Sequence, residues 1–265
     1  MSGAAQLKTG VCLFLICLAQ VSPEASAQSP ITIEQLLAKP STWQISSSLD
    51  YRSAMSEPTL LERQGSWLVG LRYGLSQRLE LNARLQEQQF SQSGADQKIR
   101  EKSHRLSVGS NWLIKRESTL PAVLLEARAI ISSSSENGRR TLPGGQIAIT
   151  TYKGIDPLVL SLSISMSFQR DYRLHRLEID PGSSWRVEPG VNFAVNPRVT
   201  LFGGAAFERR TATDLGSGVV LPTSERLGIH GGMALSVARQ HSIFVSVDLG
   251  TDRSGGMTLQ WFYEF

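Results

Sequence analysis

The feature that most constrains this chain is the stretch 158–168, in which apolar and hydroxyl side chains alternate. Its even positions are all apolar, and its odd positions from 161 onward are all serine. An extended chain turns successive side chains to opposite faces, whereas a helix would spread the same residues around its circumference. The stretch is therefore a strand with one apolar and one hydroxyl face. Its length matches the roughly 9–11 residues that a tilted strand needs to cross a bilayer.

The same two-residue alternation recurs along the chain and predicts twelve strands between Thr42 and Phe265. An even number of strands joined in sequence predicts an all-β fold, a closed antiparallel up-and-down transmembrane β-barrel. The first apolar outward residues of the twelve strands are Trp43, Trp67, Leu79, Leu106, Val123, Ile147, Leu158, Trp185, Val199, Leu227, Ile243 and Met257.

Alternation alone also fits a soluble β-sandwich, which packs its apolar face inward. Two further patterns favour the bilayer. Mid-strand charges fall on the parity opposite to the apolar side chains, and a charge facing lipid would cost about 2–4 kcal/mol at the midplane. Aromatic residues on the apolar parity form the predicted interfacial girdle, and its members are Trp43, Trp67, Tyr73, Trp112, Trp185 and Tyr263.

The N-terminus reads as an export signal followed by a short lead-in. Lys8, a largely apolar run over residues 11–21 and the small residues 25–27 predict a signal peptide over residues 1–27. Both cysteines lie within it. Residues 28–41 are expected to form a periplasmic segment with a short helix over residues 30–39, begun by Thr32 and ended by Pro40. This segment is either a mobile lead-in or a small plug or docking element. The barrel is expected over residues 42–265.

The connections predict an orientation. Those after odd strands are long, over residues 53–65, 90–102, 132–143, 169–183 and 209–223, with 251–255 as a short exception. Those after even strands are brief. Outer-membrane barrels have long extracellular loops and short periplasmic turns, so both termini are expected in the periplasm. Basic loop residues would face lipopolysaccharide phosphates, or would serve only solubility.

The last residues, 260–265, alternate aromatic side chains and end in Phe265. This ending resembles the assembly signal of Gram-negative outer-membrane proteins, and the resemblance implies contact with the barrel-assembly machinery and with outer-membrane lipids. The turn over residues 73–81 is similar to turns in the transporters grouped with phenol meta-pathway degradation genes (the MetA-like family). That resemblance implies a passive outer-membrane transporter.

The lumen is where a transport function would act. Eight strands are filled by their own side chains, whereas sixteen to eighteen leave a channel, so twelve predict a narrow lumen. Opposed inward charges would either tune selectivity or only neutralise one another. The candidates are Arg72, Glu80, Arg84, Arg105, Glu126, Arg128, Arg186, Glu188 and Arg226.

Other functions find less support in the sequence. No histidine lies within local reach of a nucleophile, so a hydrolase is the least favoured hypothesis and the protein is expected not to be an enzyme. The histidines show no metal-ligand spacing, no cofactor is predicted, and no basic block indicates nucleic-acid binding. The main alternative to a channel is a non-conducting barrel, which would display loops or dock to periplasmic partners within a secretion or surface-assembly system.

Overall fold

A computed structural model describes residues 37–57, 60–93, 98–135, 144–169, 172–174, 177–180, 182–214, 220–238 and 240–265. The predicted signal peptide and most of the predicted short helix lie outside these residues. Residues 37–39, the last of that predicted helix, are not helical.

Within the described ranges, twelve strands form one closed antiparallel barrel in up-and-down order, which confirms the predicted fold class. Two short hairpins, β8 with β9 and β12 with β13, lie in two of the connections. In chain order the strands are β1 (Trp43–Glu57), β2 (Leu60–Gly74), β3 (Leu79–Ser93), β4 (Lys98–Lys115), β5 (Ala122–Ser135), β6 (Gly144–Ile155), β7 (Leu158–Gln169), β8 (Tyr172–Leu174), β9 (Leu177–Ile179), β10 (Ser183–Asn196), β11 (Val199–Arg210), β12 (Thr213–Asp214), β13 (Val220–Leu221), β14 (Ser224–Ala238), β15 (His241–Gly250) and β16 (Gly255–Glu264).

The barrel closes between its first and last long strands. Residues 44–53 of β1 pair in antiparallel register with residues 255–264 of β16. Beyond this ladder, Trp43 N–H donates to the Phe265 carbonyl at 3.0 Å, and Phe265 N–H donates to the Trp43 carbonyl at 2.9 Å. The closed ladder removes the free sheet edge that an open barrel would present to lipid.

The exterior of the barrel is apolar. Leu85, Ile164 and Leu249 are 53%, 45% and 60% exposed, and each lies on the parity predicted to face outward. On the opposite parity, the Glu80 side chain is fully buried. A soluble sandwich would bury the first set and expose the second. The wall is therefore that of a transmembrane barrel.

The strands extend further than the sequence indicated. The predicted loops over residues 53–65 and 90–102 are wrong, because β1 runs to Glu57, β2 begins at Leu60, and β3 and β4 run through most of the second loop. The reason lies in the outward side chains. Leu85 pairs with Leu106, but the next outward pairs are Glu87 with His104 and Gln89 with Lys102. The hydrophobic alternation stops at these polar pairs although the backbone ladder continues.

The two rims of the barrel differ. At one end, here called the terminal end, lie the chain termini and short turns; the other is called the loop end. Strands β1 to β4 contain 15, 15, 15 and 18 residues, whereas β15 and β16 contain 10 each. Since adjacent strands are aligned at the terminal end, the loop end is lowest at β15–β16, between β1 and the 15-residue β14.

The exterior assignment predicts the effect of a single charge. Replacing Ile164, at the middle of β7, by arginine should lower the free energy of unfolding by about 2–4 kcal/mol, because the charge would face hydrocarbon. Ser163→Arg is the matched control, since that side chain points to the lumen. Urea unfolding from phospholipid vesicles measures both variants. Equal losses at the two positions would contradict the assignment.

Candidate functional site in the lumen

The sequence-predicted lumen residues lie on two opposite walls of the barrel. Strands β2 to β5 carry six of them, and β10 and β14 carry the other three. Neighbouring strands bring inward side chains side by side, so residues far apart in the chain share one surface. The first wall holds Arg72, Glu80, Arg84, Arg105, Glu126 and Arg128, and the second holds Arg186, Glu188 and Arg226.

Glu80 is the centre of a buried network near the terminal end. Arg72 donates to it from Nε at 2.8 Å and from Nη2 at 2.6 Å, in a two-pronged contact. Asn111 Nδ2 donates to the same carboxylate at 2.9 Å, and the backbone N–H of Ala38 does so at 2.6 Å. Four donors satisfy the fully buried carboxylate without water, since each oxygen accepts two bonds.

The segment that precedes β1 lies inside the terminal mouth. Leu37 and Ala38 are buried, and Ser41 N–H donates to the Gly74 carbonyl at 2.7 Å. A Cβ at Gly74 would lie 2.0 Å from the Lys39 carbonyl oxygen, so only glycine allows this approach. The Lys39 ammonium also pairs with Glu264 at 2.6 Å. The sequence left open whether this segment was a mobile lead-in or a plug; of its described residues, Leu37 and Ala38 are packed into the barrel, whereas Lys39 and Pro40 are exposed.

The first wall carries an excess of arginine around a cavity of about 150 Å³ lined by Arg84, Arg105 and Arg128. Arg128 bonds to the Glu126 carboxylate, and it donates to Gln146 Oε1 at 3.1 Å. Among the described residues, Arg84 and Arg105 make no ion pair or hydrogen bond.

The second wall is more evenly charged around a cavity of about 230 Å³. Asp248 accepts from Arg52 at 3.3 Å and from Arg226 at 3.4 Å. Arg186 pairs with Glu188 at 2.6 Å. Each of these guanidinium groups is compensated by a carboxylate in contact with it.

Inward glycines do not simply leave space. A Cβ at Gly204 would lie 2.9 Å from the ring of His230, which is its partner across the ladder. Asp248 covers Gly256 in the same way, and a Cβ there would lie 2.3 Å from its Oδ1. Large inward side chains therefore lie along the wall over a neighbouring glycine instead of projecting toward the barrel axis.

At the loop end, Asp252 closes the turn between β15 and β16. It pairs with Arg226 at 3.1 Å and accepts from the Ser254 N–H at 3.3 Å. Partial burial would raise the pKa of Asp252, but the Ser254 hydrogen bonds and the Arg226 charge outweigh it, so the pKa lies below its usual value. The Asp252 carboxylate therefore remains ionised at the loop-end mouth, beside the second wall.

The three described histidines contact acids or aromatic rings. His104 Nδ1 lies 4.0 Å from Glu87, and His230 Nε2 lies 3.7 Å from Glu188. Trp261 Nε1 lies 3.3 Å from His241 Nδ1. Among the described residues, no serine or threonine hydroxyl is bonded to a histidine, and no group of three acidic or histidine side chains is placed to hold a metal ion.

The predicted aromatic positions occupy both ends of the apolar band. Trp43 and Tyr73 are in contact at the terminal end, with ring centroids 4.6 Å apart, and Tyr263 stacks on Phe265 at 5.7 Å. Trp112 lies near the terminal end of β4, whereas Trp185 lies near the loop end of β10. Trp67 lies in mid-strand, yet its ladder partner is Glu87, the first outward polar residue of β3.

The pattern of inward charges in the sequence does not reveal several uncharged polar residues of the lumen. Asn111 and Gln44 contact the Glu80–Arg72 network, and Gln146 contacts Arg128. Asn82 is buried with both amide atoms unpaired among the described residues. Their inward parity was the signal that could have identified them.

Comparisons with known proteins identify the fold alone. No protein-family model matches the sequence, and no curated protein sequence matches it. The barrel resembles an outer-membrane channel of Pseudomonas putida F1 with a TM-score of 0.70 and 9% identity, over 89% of this chain and 100% of that one. It also resembles the beta domain of the Bordetella autotransporter Brka (TM-score 0.60, 11% identity, 85% and 100% covered) and the NanC porin (TM-score 0.52, 10% identity, 83% and 98% covered). The structural relatives are outer-membrane β-barrels.

The Glu80 network predicts a coupling between stability and the N-terminal segment. Glu80→Gln should lower the free energy of unfolding by about 3–5 kcal/mol, because Arg72 would lose its buried counter-charge. Hydrogen–deuterium exchange of the Ala38 amide should become faster, since this N–H would lose a charged acceptor. Glu264→Gln is the control, with an expected loss below about 1 kcal/mol for an exposed pair. Unchanged exchange of the Ala38 amide in Glu80→Gln would show that the carboxylate does not hold the segment.

Proposed function

We propose that this protein is a passive channel of the outer membrane with both termini in the periplasm. The observation that carries the proposal is the lumen, in which two charged walls enclose cavities of about 230 and 150 Å³. Ion pairs such as Arg186–Glu188 hold the charged groups on the wall, and side chains such as His230 lie flat over glycine. Both arrangements keep long side chains on the wall, which supports a path for solute along the barrel axis.

The surroundings of the barrel support the same location. The apolar exterior requires a lipid environment, and the fold resembles outer-membrane proteins. Phe265 lies at the seam and is bonded through its backbone to Trp43, which supports assembly through the last strand. The outward polar residues His104 and Lys102 lie beyond the apolar band, where lipopolysaccharide headgroups would be located.

A non-conducting accessory barrel is the second candidate, because residues 37–40 occupy the terminal mouth. In this alternative the segment seals the lumen, with Ala38 bonded to Glu80 and Lys39 to Glu264. A chain beginning at Gln28 should then insert silently into planar bilayers, whereas a chain beginning at Thr42 should conduct. If the longer chain conducts, the segment narrows the mouth without closing it.

The channel proposal predicts cysteine accessibility in planar bilayers. The folded chain from Gln28 should give discrete single-channel steps, and the Arg186→Cys variant should lose a large part of its current when an anionic methanethiosulfonate reagent is added. The reason is that Arg186 lines the larger cavity. Val187→Cys, one residue further along on the lipid side, is the matched control and should not respond. Absence of steps from protein that is verified as folded and inserted would contradict the proposal.

A further inference from the structure

The first wall contains a lattice of inward side chains around Ser107. Across the ladders, Arg84 faces Ser107, and Ser107 faces Ile130. One inward position nearer the loop end, Leu68 faces Gln86, which faces Arg105. Diagonal neighbours in a sheet lie about 7–8 Å apart at Cβ, so the long side chains of Arg84 and Arg105 reach one space.

One step nearer the terminal end, the wall opens at Gly109. Gly109 lies between Asn82 and Arg128 on the same row of the ladder. A Cβ at Gly109 would lie 2.6 Å from the Ala127 carbonyl oxygen, so position 109 accepts no side chain. The Nε of Arg128 is buried beside it and has no partner among the described residues. This row of the wall therefore holds buried polar atoms without partners in the described part of the chain, namely the Asn82 amide and the Arg128 Nε–H.

The balance of charges distinguishes the first wall from the second. Arg84 is within electrostatic reach of two cations, Arg128 and Arg72, and of two acids, Glu126 and Glu80. These four charges cancel as pairs and leave the charge of Arg84 uncompensated. Arg105 adds a second uncompensated charge. Within the described part of the chain, the inward arginines 52, 72, 128, 186 and 226 are all ion-paired. Two half-buried like charges beside each other favour a bound anion.

The cavity itself indicates which anion. Its donors are the guanidinium groups of Arg84, Arg105 and Arg128, whose planar forks match a carboxylate. Leu68 and Ile130 give it an apolar side. Its volume is about 150 Å³. This space accommodates a carboxylate with a short hydrocarbon body.

We infer that this arginine pocket, defined by Arg84, Arg105, Arg128, Leu68 and Ile130, binds a small organic monocarboxylate inside the lumen. The inference rests on the proposed channel function, to which it adds the substrate class. The carboxylate is held by Arg84 and Arg105, and its hydrocarbon body contacts Leu68 and Ile130. Anions consequently pass more readily than cations, because the pocket attracts the former and repels the latter.

Binding is tested without conduction. The folded chain from Gln28, in detergent micelles, is titrated with pentanoate, acetate and the neutral pentanamide by isothermal titration calorimetry. Pentanoate should bind, acetate more weakly because it lacks the hydrocarbon body, and pentanamide at least about tenfold more weakly because it lacks the charge. Equal affinity for pentanoate and pentanamide would overturn the role of the arginines, and equal affinity for pentanoate and acetate would overturn the apolar contact.

Variants locate the site. The R84Q/R105Q double variant should lose at least about tenfold in pentanoate affinity, since two charge-assisted contacts disappear. It removes only uncompensated charges, so its thermal unfolding temperature should not fall. R52Q on the opposite wall is the matched control and should bind pentanoate within about twofold of the parent chain. Equal losses in R52Q and in the double variant would overturn the pocket.

Bilayer recording separates this inference from the channel proposal. In a potassium chloride gradient, the parent chain and R52Q should show a reversal potential whose sign indicates a preference for anions. The R84Q/R105Q variant should lose this preference. Pentanoate binding by a barrel that never conducts would support the pocket and contradict the channel. A conducting barrel without pentanoate binding or anion preference would support the channel and overturn the pocket.

Discussion

Every backbone N–H and carbonyl group that lies at the depth of the hydrocarbon must be bonded within the protein, and only a closed ladder achieves this for strands. In this chain the requirement is met at the pairing of β1 with β16, extended by the two bonds between Trp43 and Phe265. Once the wall is closed, the pleat sends every second side chain into the interior. Charged groups excluded from lipid are thereby concentrated in a narrow space, where each carboxylate requires donors. The Glu80 network shows the result: four donors converge on one carboxylate.

The parts of this fold that depend on a period of two were predictable from the sequence. The strand of residues 158–168 and its eleven counterparts were recognisable because each apolar outward residue alternates with a polar inward one. Strand ends were not predictable, because beyond Leu85 and Leu106 both faces are polar while the ladder continues. A change in the environment of the outward face was thus mistaken for a change in backbone structure.

The candidate site was predictable only as a set of inward charges. Which of them meet depends on the register between strands, and local sequence does not encode that register. The contact of Arg72 with Glu80 joins neighbouring strands across a short turn and could have been anticipated from the hairpin. The grouping of Arg84, Ser107 and Ile130 spans three strands and could not. The buried position of Ala38 could not be predicted either, because it requires a glycine at position 74 and an acid at position 80 to lie beside one another.

The low stretch of the loop-end rim gives this mouth a preferred side. Strands β1 to β4 rise above the level at which β15 and β16 end, so the wall that carries the uncompensated arginines is a tall one. The low lip adjoins β1 in the closed ladder and bears Asp252 beside Arg226. In the proposed channel, a solute that approaches the loop end would enter most easily over this lip and would then meet the arginines from the side. The step in the rim would orient the encounter before any contact inside the lumen is made.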